Sequence, residues 1–393
     1  QLPVPSEGRA WLRRQRLNAR VGREYAKYRL RLAERDLRRY TFSGAHANDH
    51  IRPILPSAPD RPLRIFGFWR HYSWEDHSFG RALAGIGRVS RYDPAGEFDQ
   101  WAPTGPDEAA RRRMQEMVFK TIEGGQDGEP FDVLFFYTSA ATLDPDFLAR
   151  IRMLGVPMIN FSHDDIVHFE ARSDNGSNGG CARIAALFDI HVSTSIIGFF
   201  KALAVGAQPY YLPGGADEAV FTPSGATRDL DVVFVGARFY DRDETIDYLQ
   251  CQGIPVHAFG AGWPNGRLTL DQHISTLARA KIVLGFNRYS GTDWMGIKGR
   301  DLEVPLSGAC HLVNDFRELS NIFMPDEEVA VYKNRRHLVT RIRHLLGHPL
   351  ERERLAALGR MRVLREYTWR VRFRTLFWRA GLLALPASVG EVV

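Results

Sequence analysis

Short apolar runs recur along this chain, parted by longer stretches of mixed polarity. In the first half they are Leu63–Trp69, Val89–Asp93, Phe131–Tyr137, Pro157–Phe161, Asp189–Thr194 and Tyr210–Pro213. In the second half they are Leu230–Gly236, Val256–Gly260, Lys281–Asn287 and Val329–Tyr332, with a further apolar stretch over 304–313. Runs that stay apolar instead of alternating predict strands covered on both faces, as in parallel sheets. The stretches between them predict helices at Ser78–Gly87, Phe147–Leu154, Leu270–Ala280, His337–Leu346 and Glu351–Arg374, with another beginning at Ser195. Strand, helix and strand within about thirty residues is the parallel crossover unit. Two series of such units predict two α/β domains, at 63–213 and 230–365, joined by a linker over 214–229.

Residues 9–40 depart from this rhythm. They contain no proline and only Gly22, and Trp11, Leu17, Val21, Tyr25, Tyr28 and Leu32 form an uneven apolar stripe among arginines. The pattern predicts one long amphipathic helix. Four prolines, Pro53, Pro56, Pro59 and Pro62, then mark a linker, so residues 1–62 read as a basic helical arm and tether.

Charge sharpens the picture. The chain carries a net +6 over 393 residues. Residues 9–40 hold twelve Arg or Lys against three acidic residues, a net +9, which leaves −3 for the rest. The basicity belongs to the arm, so a nucleic-acid-binding core is excluded as a reading. The arm suits an anionic membrane surface, with packing on its own domain or pairing with a second copy as alternatives. No apolar run reaches the roughly 18–20 residues of a membrane span. Cys181, Cys251 and Cys310 are far apart and odd in number, which fits reduced thiols in the cytoplasm.

Candidate chemistry sits where strands end, because open parallel sheets bind ligands beyond their carboxyl ends. The loop after the first strand offers His71, Glu75, Asp76 and His77, placed to meet a substrate. The fourth strand delivers His163, Asp164 and Asp165, the expected catalytic cluster. His163 and His168 are five apart and do not share a helix face, so no zinc site is read there. Asp144-Pro-Asp146 reads as a helix cap with proline at the first helical position, not as a metal motif. In the second half, Gly236 ends a strand and is followed by Arg238 and Arg242. Asn287 ends another, and Gly296–Glu303 forms a basic loop running into a short helix. Lys298, Gly299, Arg300 and Glu303 there combine two cations, helix N–H groups and one carboxylate, which suits a nucleoside diphosphate with ribose hydroxyls. Gly260–Gly266 lacks the spacing of a dinucleotide fingerprint, and no phosphate-binding loop of the GxxxxGK[ST] kind is present.

Four blocks, Tyr211–Pro223, Asp231–Arg238, Lys298–Leu312 and Arg365–Arg372, occur in an order and spacing that resembles the CgeB-like glycosyltransferases, relatives of the group-1 family. The resemblance is closest over roughly residues 205–375. It implies the GT-B fold: two doubly wound Rossmann-like domains facing across a cleft, with residues 366–393 crossing back to the first. It further implies transfer of a sugar from a nucleotide-sugar donor to a hydroxyl of a glycan or lipid-linked acceptor. Retention of configuration and metal independence are implied likewise, with no cofactor. Gly236, Arg238, Arg242, Asn287, Lys298, Gly299, Arg300 and Glu303 become donor-site residues, and Glu303 matches the carboxylate that binds ribose. One departure stands out: many relatives carry a second Glu where this chain has Met295. A nucleotide-sugar epimerase or a silent binding module of the same fold stay open as alternatives.

Overall fold

The computed structural model describes residues 6–33, 47–55, 57–71, 75–99, 107–170, 179–239, 241–289 and 292–384. The end of the predicted arm (34–40), Tyr72–Trp74 and most of the polar loop at 172–181 lie outside them. The chain forms two compact units, one from residues 21–213 and 370–393, the other from 1–20 and 214–369.

The first unit holds a six-stranded parallel sheet: β1 (Leu63–Phe68), β2 (Gly87–Tyr92), β3 (Val133–Tyr137), β4 (Met158–Ser162), β5 (Ile190–Ser193) and β6 (Pro209–Tyr211). Its order is β2-β1-β3-β4-β5-β6. The winding reverses between β1 and β3, so the loops after those strands flank the switch point where such sheets bind ligands. The core is strongly aromatic. Phe79 and Phe135 each pack within 6.4 Å of Phe161, and Phe373 from the C-terminal segment closes on Phe135 at 5.5 Å. Each such ring, fully buried, contributes on the order of 2 kcal/mol.

The second unit holds β7 (Leu230–Val235), β8 (His257–Phe259), β9 (Ala280–Gly285), β10 (Cys310–Asn314) and β11 (Ala330–Tyr332). All pair in parallel, in the order β11-β10-β9-β7-β8, with the switch point between β7 and β9. Both faces are covered. Val232, Phe234, Ile282 and Leu284 pack into one core, while Val233, Val283 and Val313 pack into the other. That two-sided burial is why these strands read as unbroken apolar runs.

Four segments differ from the sequence expectation. The predicted helix at Ser78–Gly87 is a π-turn, Asp76–Gly80, running into one helical turn, Arg81–Ala84. Residues Glu108–Gly124 form an additional helix, capped by Asp107, that the sequence reading passed over. Arg242, for which the sequence predicts no helix, lies in helix Asp241–Cys251, whose Asp241, Asp243 and Glu244 favour the positive helix end. The predicted helix Glu351–Arg374 is two helices, Pro349–Glu366 and Trp369–Arg379. The break has a cause: Ala216 donates to the carbonyl of Tyr367 and accepts from the amide of Trp369, each at 3.1 Å, so the linker pairs into the helix.

The arm is a helix over Ser6–Ala33, and much of its apolar stripe is buried. Val21, Tyr28 and Leu32 are at most 5% exposed. Glu24, also buried, meets Lys201 at 2.7 Å, and Lys201 in turn donates to the carbonyls of Asp165 and Ile166. Nearer the N-terminus, Arg14 and Asn18 hold the Asp293 carboxylate.

Candidate functional site

In the second unit the chemistry gathers at the carboxyl ends of β7 and β9. Arg300 donates from Nε to the carbonyl of Val235 at 3.2 Å and from Nη1 to that of Phe286 at 3.3 Å, one at the end of each strand. Arg242 donates to the carbonyls of Ala237 (2.8 Å) and Phe286 (3.4 Å). Two guanidinium groups therefore converge on one carbonyl at the switch point. Phe234 lies beneath both, 5.1 and 5.4 Å from their centres. Burial, and then the neighbouring Arg300 charge, lower Arg242 to about 10. Both act on His273 in the same order and hold it near 4. Like charges held this close in partial burial create a local field that favours an anion.

Gly236 makes this possible through its missing side chain, not through its amide. A Cβ there would meet Arg300 Nη2 at 2.5 Å and Phe234 Cζ at 2.9 Å, so the missing side chain admits the guanidinium. Its N–H is engaged by the carbonyl of Phe259 at 2.8 Å and does not point to a ligand. Arg238 differs as well: it pairs with Asp243 at 2.8 Å and lies over Trp263, away from the two convergent arginines.

Lys298 sits with Nζ 3.3 Å from the centre of the Tyr289 ring. Its backbone N–H, like the Asn287 side-chain amide, is held by the buried carboxylate of Asp301. Glu303 lies one turn into helix Arg300–Leu306, half-buried, with Oε1 3.1 Å from where a Cβ on Gly299 would stand. Burial pushes its carboxyl up to about 7, against the pull of Arg300. Met295 pairs its backbone with Arg288, and Asp293 beside it is held by Arg14 and Asn18. Lys298, Arg300, Arg242, Asn287 and Glu303 thus belong to one neighbourhood. Asp301 and His311 were not anticipated. The one available signal was a histidine inside the apolar run 304–313.

In the first unit the acceptor-side candidates do cluster. Asp76 accepts from Trp69 Nε1 at 2.8 Å, pairs with Arg91 at 2.9 Å and lies 3.3 Å from His71 Nδ1. Glu75 is buried 3.7 Å from the same nitrogen, and the His71 and His77 rings pack edge to face at 5.8 Å. All stand beyond the carboxyl ends of β1 and β2.

The catalytic trio separates. His163 packs edge-on against Phe161 at 4.9 Å, half-buried. Asp164 adopts the left-handed conformation, φ 58°, ahead of the short helix Asp165–His168. Asp165 is 2% exposed and faces inward, which corrects its expected part in catalysis. Its carboxylate accepts from Ser162 at 2.6 Å and lies 3.3 Å from His191 Nε2, with Cys181 alongside. Asp165, Cys181 and His191 have the spacing of metal ligands. The hydrogen-bond directions do not fit that role. Asn160 is fixed by the backbone N–H and carbonyl of Thr138, so its NH2 faces His191 Nδ1 at 3.4 Å. Nδ1 must accept, the ring proton sits on Nε2, and that nitrogen has no lone pair for a metal. The cluster is a closed polar core.

Asp144 caps its helix as expected, accepting from Phe147 at 2.9 Å with Pro145 in the first turn. No helix among the described residues is long and apolar enough to cross a membrane.

Against known proteins, residues 242–377 match the family model described as glycosyl transferase-like. That description is broader than the CgeB-like group. The comparison with curated proteins finds no match. Among solved structures, the chain is similar to sucrose-phosphate synthase from Thermosynechococcus elongatus, at 13% identity and TM-score 0.56, over 80% of this chain and 99% of that one. It is similar to HepE of Anabaena, solved with UDP and glucose, at 11% identity and TM-score 0.56, over 82% and 100%. A glycosyltransferase from Rickettsia africae ESF-5 aligns at 9% identity and TM-score 0.57, over 82% and 99%. Residues 242–377 thus match a glycosyl transferase-like family model, and the likeness to these structures gives most of the chain the GT-B fold.

Proposed function

We propose that this protein moves a sugar from a nucleoside-diphosphate donor to a hydroxyl of a glycan or lipid-linked acceptor, without a metal ion. The observation that carries the reading is the convergence of Arg242 and Arg300 at the β7–β9 switch point, with Lys298 and Glu303 beside them. In the transfer, the bond from the anomeric carbon to the diphosphate breaks, a bond to the acceptor oxygen forms, and the acceptor loses its proton. Charge builds on the departing diphosphate, and fixed guanidinium groups stabilise it without reorganising. Glu303, as a carboxylate, accepts hydrogen bonds from ribose hydroxyls. HepE, solved with UDP and glucose, supports a uridine nucleotide as the first donor to try. In the first unit, His163 and Asp164 remain the candidates for work at the sugar, with Asp165 as their support. Retention of anomeric configuration belongs to the same reading.

A thermal-shift screen against UDP, GDP, dTDP, CMP and their sugars, with EDTA present, tests this. Binding to the native state raises its stability by mass action. A hit that survives EDTA supports a metal-independent nucleotide-sugar site. A hit abolished by EDTA refutes metal independence, and no hit with any nucleotide refutes the donor site.

Peripheral attachment to an anionic membrane is the second part of the proposal. The outward face of the arm carries Arg13, Arg16, Arg23, Arg29 and Arg31 with exposed Trp11, Leu12 and Leu30. Its only carboxylate over 11–32, Glu24, is turned inward to Lys201. Cosedimentation with phosphatidylglycerol vesicles but not with phosphatidylcholine vesicles is expected, weakening with salt. Equal recovery with both refutes it.

A further inference from the structure

Asp301 and His311 are both fully buried. Asp301 Oδ2 accepts from Asn287 Nδ2 at 2.5 Å and from the Lys298 N–H at 2.7 Å. Its Oδ1 faces His311 Nε2 at 2.8 Å. On the other side of the ring, Nδ1 lies 3.2 Å from the carbonyl oxygen of Val283, the neighbour of His311 across the β9–β10 pairing. Gly285 clears the space, since a Cβ there would stand 2.8 Å from the ring.

Both ring nitrogens therefore face oxygen acceptors. A neutral imidazole carries one N–H and satisfies one of them, leaving its other lone pair against an oxygen. The contacts close only with a proton on Nδ1 and another on the line between Nε2 and Oδ1. The pair is then neutral as a unit, which suits the burial of both groups.

We propose that Asp301 and His311 are the positioning residues of the donor site, acting through Asn287 and Lys298. Their effect on Asn287 is specific. Its NH2 is held by Asp301 and by the carbonyl of Gly296 at 3.1 Å, which fixes the opposite end of the amide. That end, Oδ1, is buried with no hydrogen-bond partner among the described residues. It is an acceptor, so it repels phosphate and receives an O–H or N–H of the nucleotide-sugar. Asn287 thus reads hydroxyl or imide groups of the donor, while the arginines take the phosphates. This rests on the nucleotide-sugar reading of the site.

The test has two arms on the full-length protein. Nitrogen-15 NMR of the histidine rings is expected to show His311 with both nitrogens protonated, and with only one in Asp301→Asn. A single protonated nitrogen in the unaltered protein overturns the proposal whether or not any variant folds. Calorimetric titration with UDP is expected to show affinity falling roughly tenfold, the scale of one lost hydrogen bond, in Asp301→Asn and in His311→Gln. The double variant should lose no more than either single one, because the two act as a unit. Folded variants that bind UDP as the unaltered protein does overturn the positioning role alone. An unaltered protein that binds none of UDP, GDP, dTDP or CMP overturns the nucleotide reading, and the positioning role with it.

Discussion

Replacing Glu303 by glutamine should make the protein more stable and worse at binding its nucleotide, in a way that depends on pH. Burial holds the carboxyl near 7, against 4.5 for an ordinary glutamate. At about 1.4 kcal/mol per pH unit, that gap is worth about 3 kcal/mol. Below pH 4.5 the group is protonated in both folded and unfolded chains and nothing is lost. Between 4.5 and about 7 the unfolded chain releases its proton while the folded one keeps it, so stability falls as pH rises. Above about 7 the full penalty is present. Glutamine keeps the shape and removes the titration. Urea unfolding at pH 5 and pH 8 should show the variant gaining up to about 3 kcal/mol on the parent between the two. In the proposed site the same change removes a charge-assisted hydrogen bond to ribose, so UDP affinity should drop by roughly ten- to a hundredfold at pH 8. Near pH 6.5 the parent should release a proton as it binds, visible as a binding enthalpy that changes with the buffer. Parallel stability profiles for parent and variant would refute the burial of this carboxyl. An unchanged UDP affinity would remove it from the site.

Three further outcomes follow from other contacts. Gly236→Ala should weaken UDP binding by displacing the Arg300 guanidinium, which the new Cβ would approach to 2.5 Å, and calorimetry reads the loss. Glu24→Gln leaves Lys201, 1% exposed, without its counter-charge. Burial already lowers that lysine's pKa, and breaking such a pair should cost on the order of 3 kcal/mol in urea unfolding. Arg242→Lys should bind nucleotide less well than the parent in the same titration, because an ammonium cannot reach the carbonyls of Ala237 and Phe286 together as the guanidinium fork does.

The strands were legible because burial on both faces leaves an unmistakable apolar run. Leu230–Val235 and Ala280–Gly285 fall within a residue or two of their predicted bounds. The break after Glu366 was not legible, because its cause is a backbone pairing with Ala216, about 150 residues earlier. The site divides the same way. The cations of the Lys298–Glu303 stretch announce themselves. Their engagement with the carbonyls of Val235 and Phe286 depends on strand ends that only folding brings near. Asp165 reads as a catalytic carboxylate beside His163. Its inward turn is set by His191 and Lys201, both distant in sequence.

The C-terminal segment carries a consequence for the order in which the molecule can be made. Phe373 lies against Phe79 and Phe135 in the first unit, and Arg379 reaches the carbonyl of Asn48. As the ribosome releases the chain, residues 63–213 emerge with their sheet complete in sequence but without the Phe373 ring that packs on Phe79 and Phe135. The second unit is synthesised next, and has its whole sheet in hand by residue 332. The first-made unit is therefore the last to be sealed, and the side of Phe79 and Phe135 that meets Phe373 stays uncovered through the synthesis of some 160 residues (214–369). A stop codon shortly before Arg370 would leave a second unit able to fold and a first unit prone to aggregate.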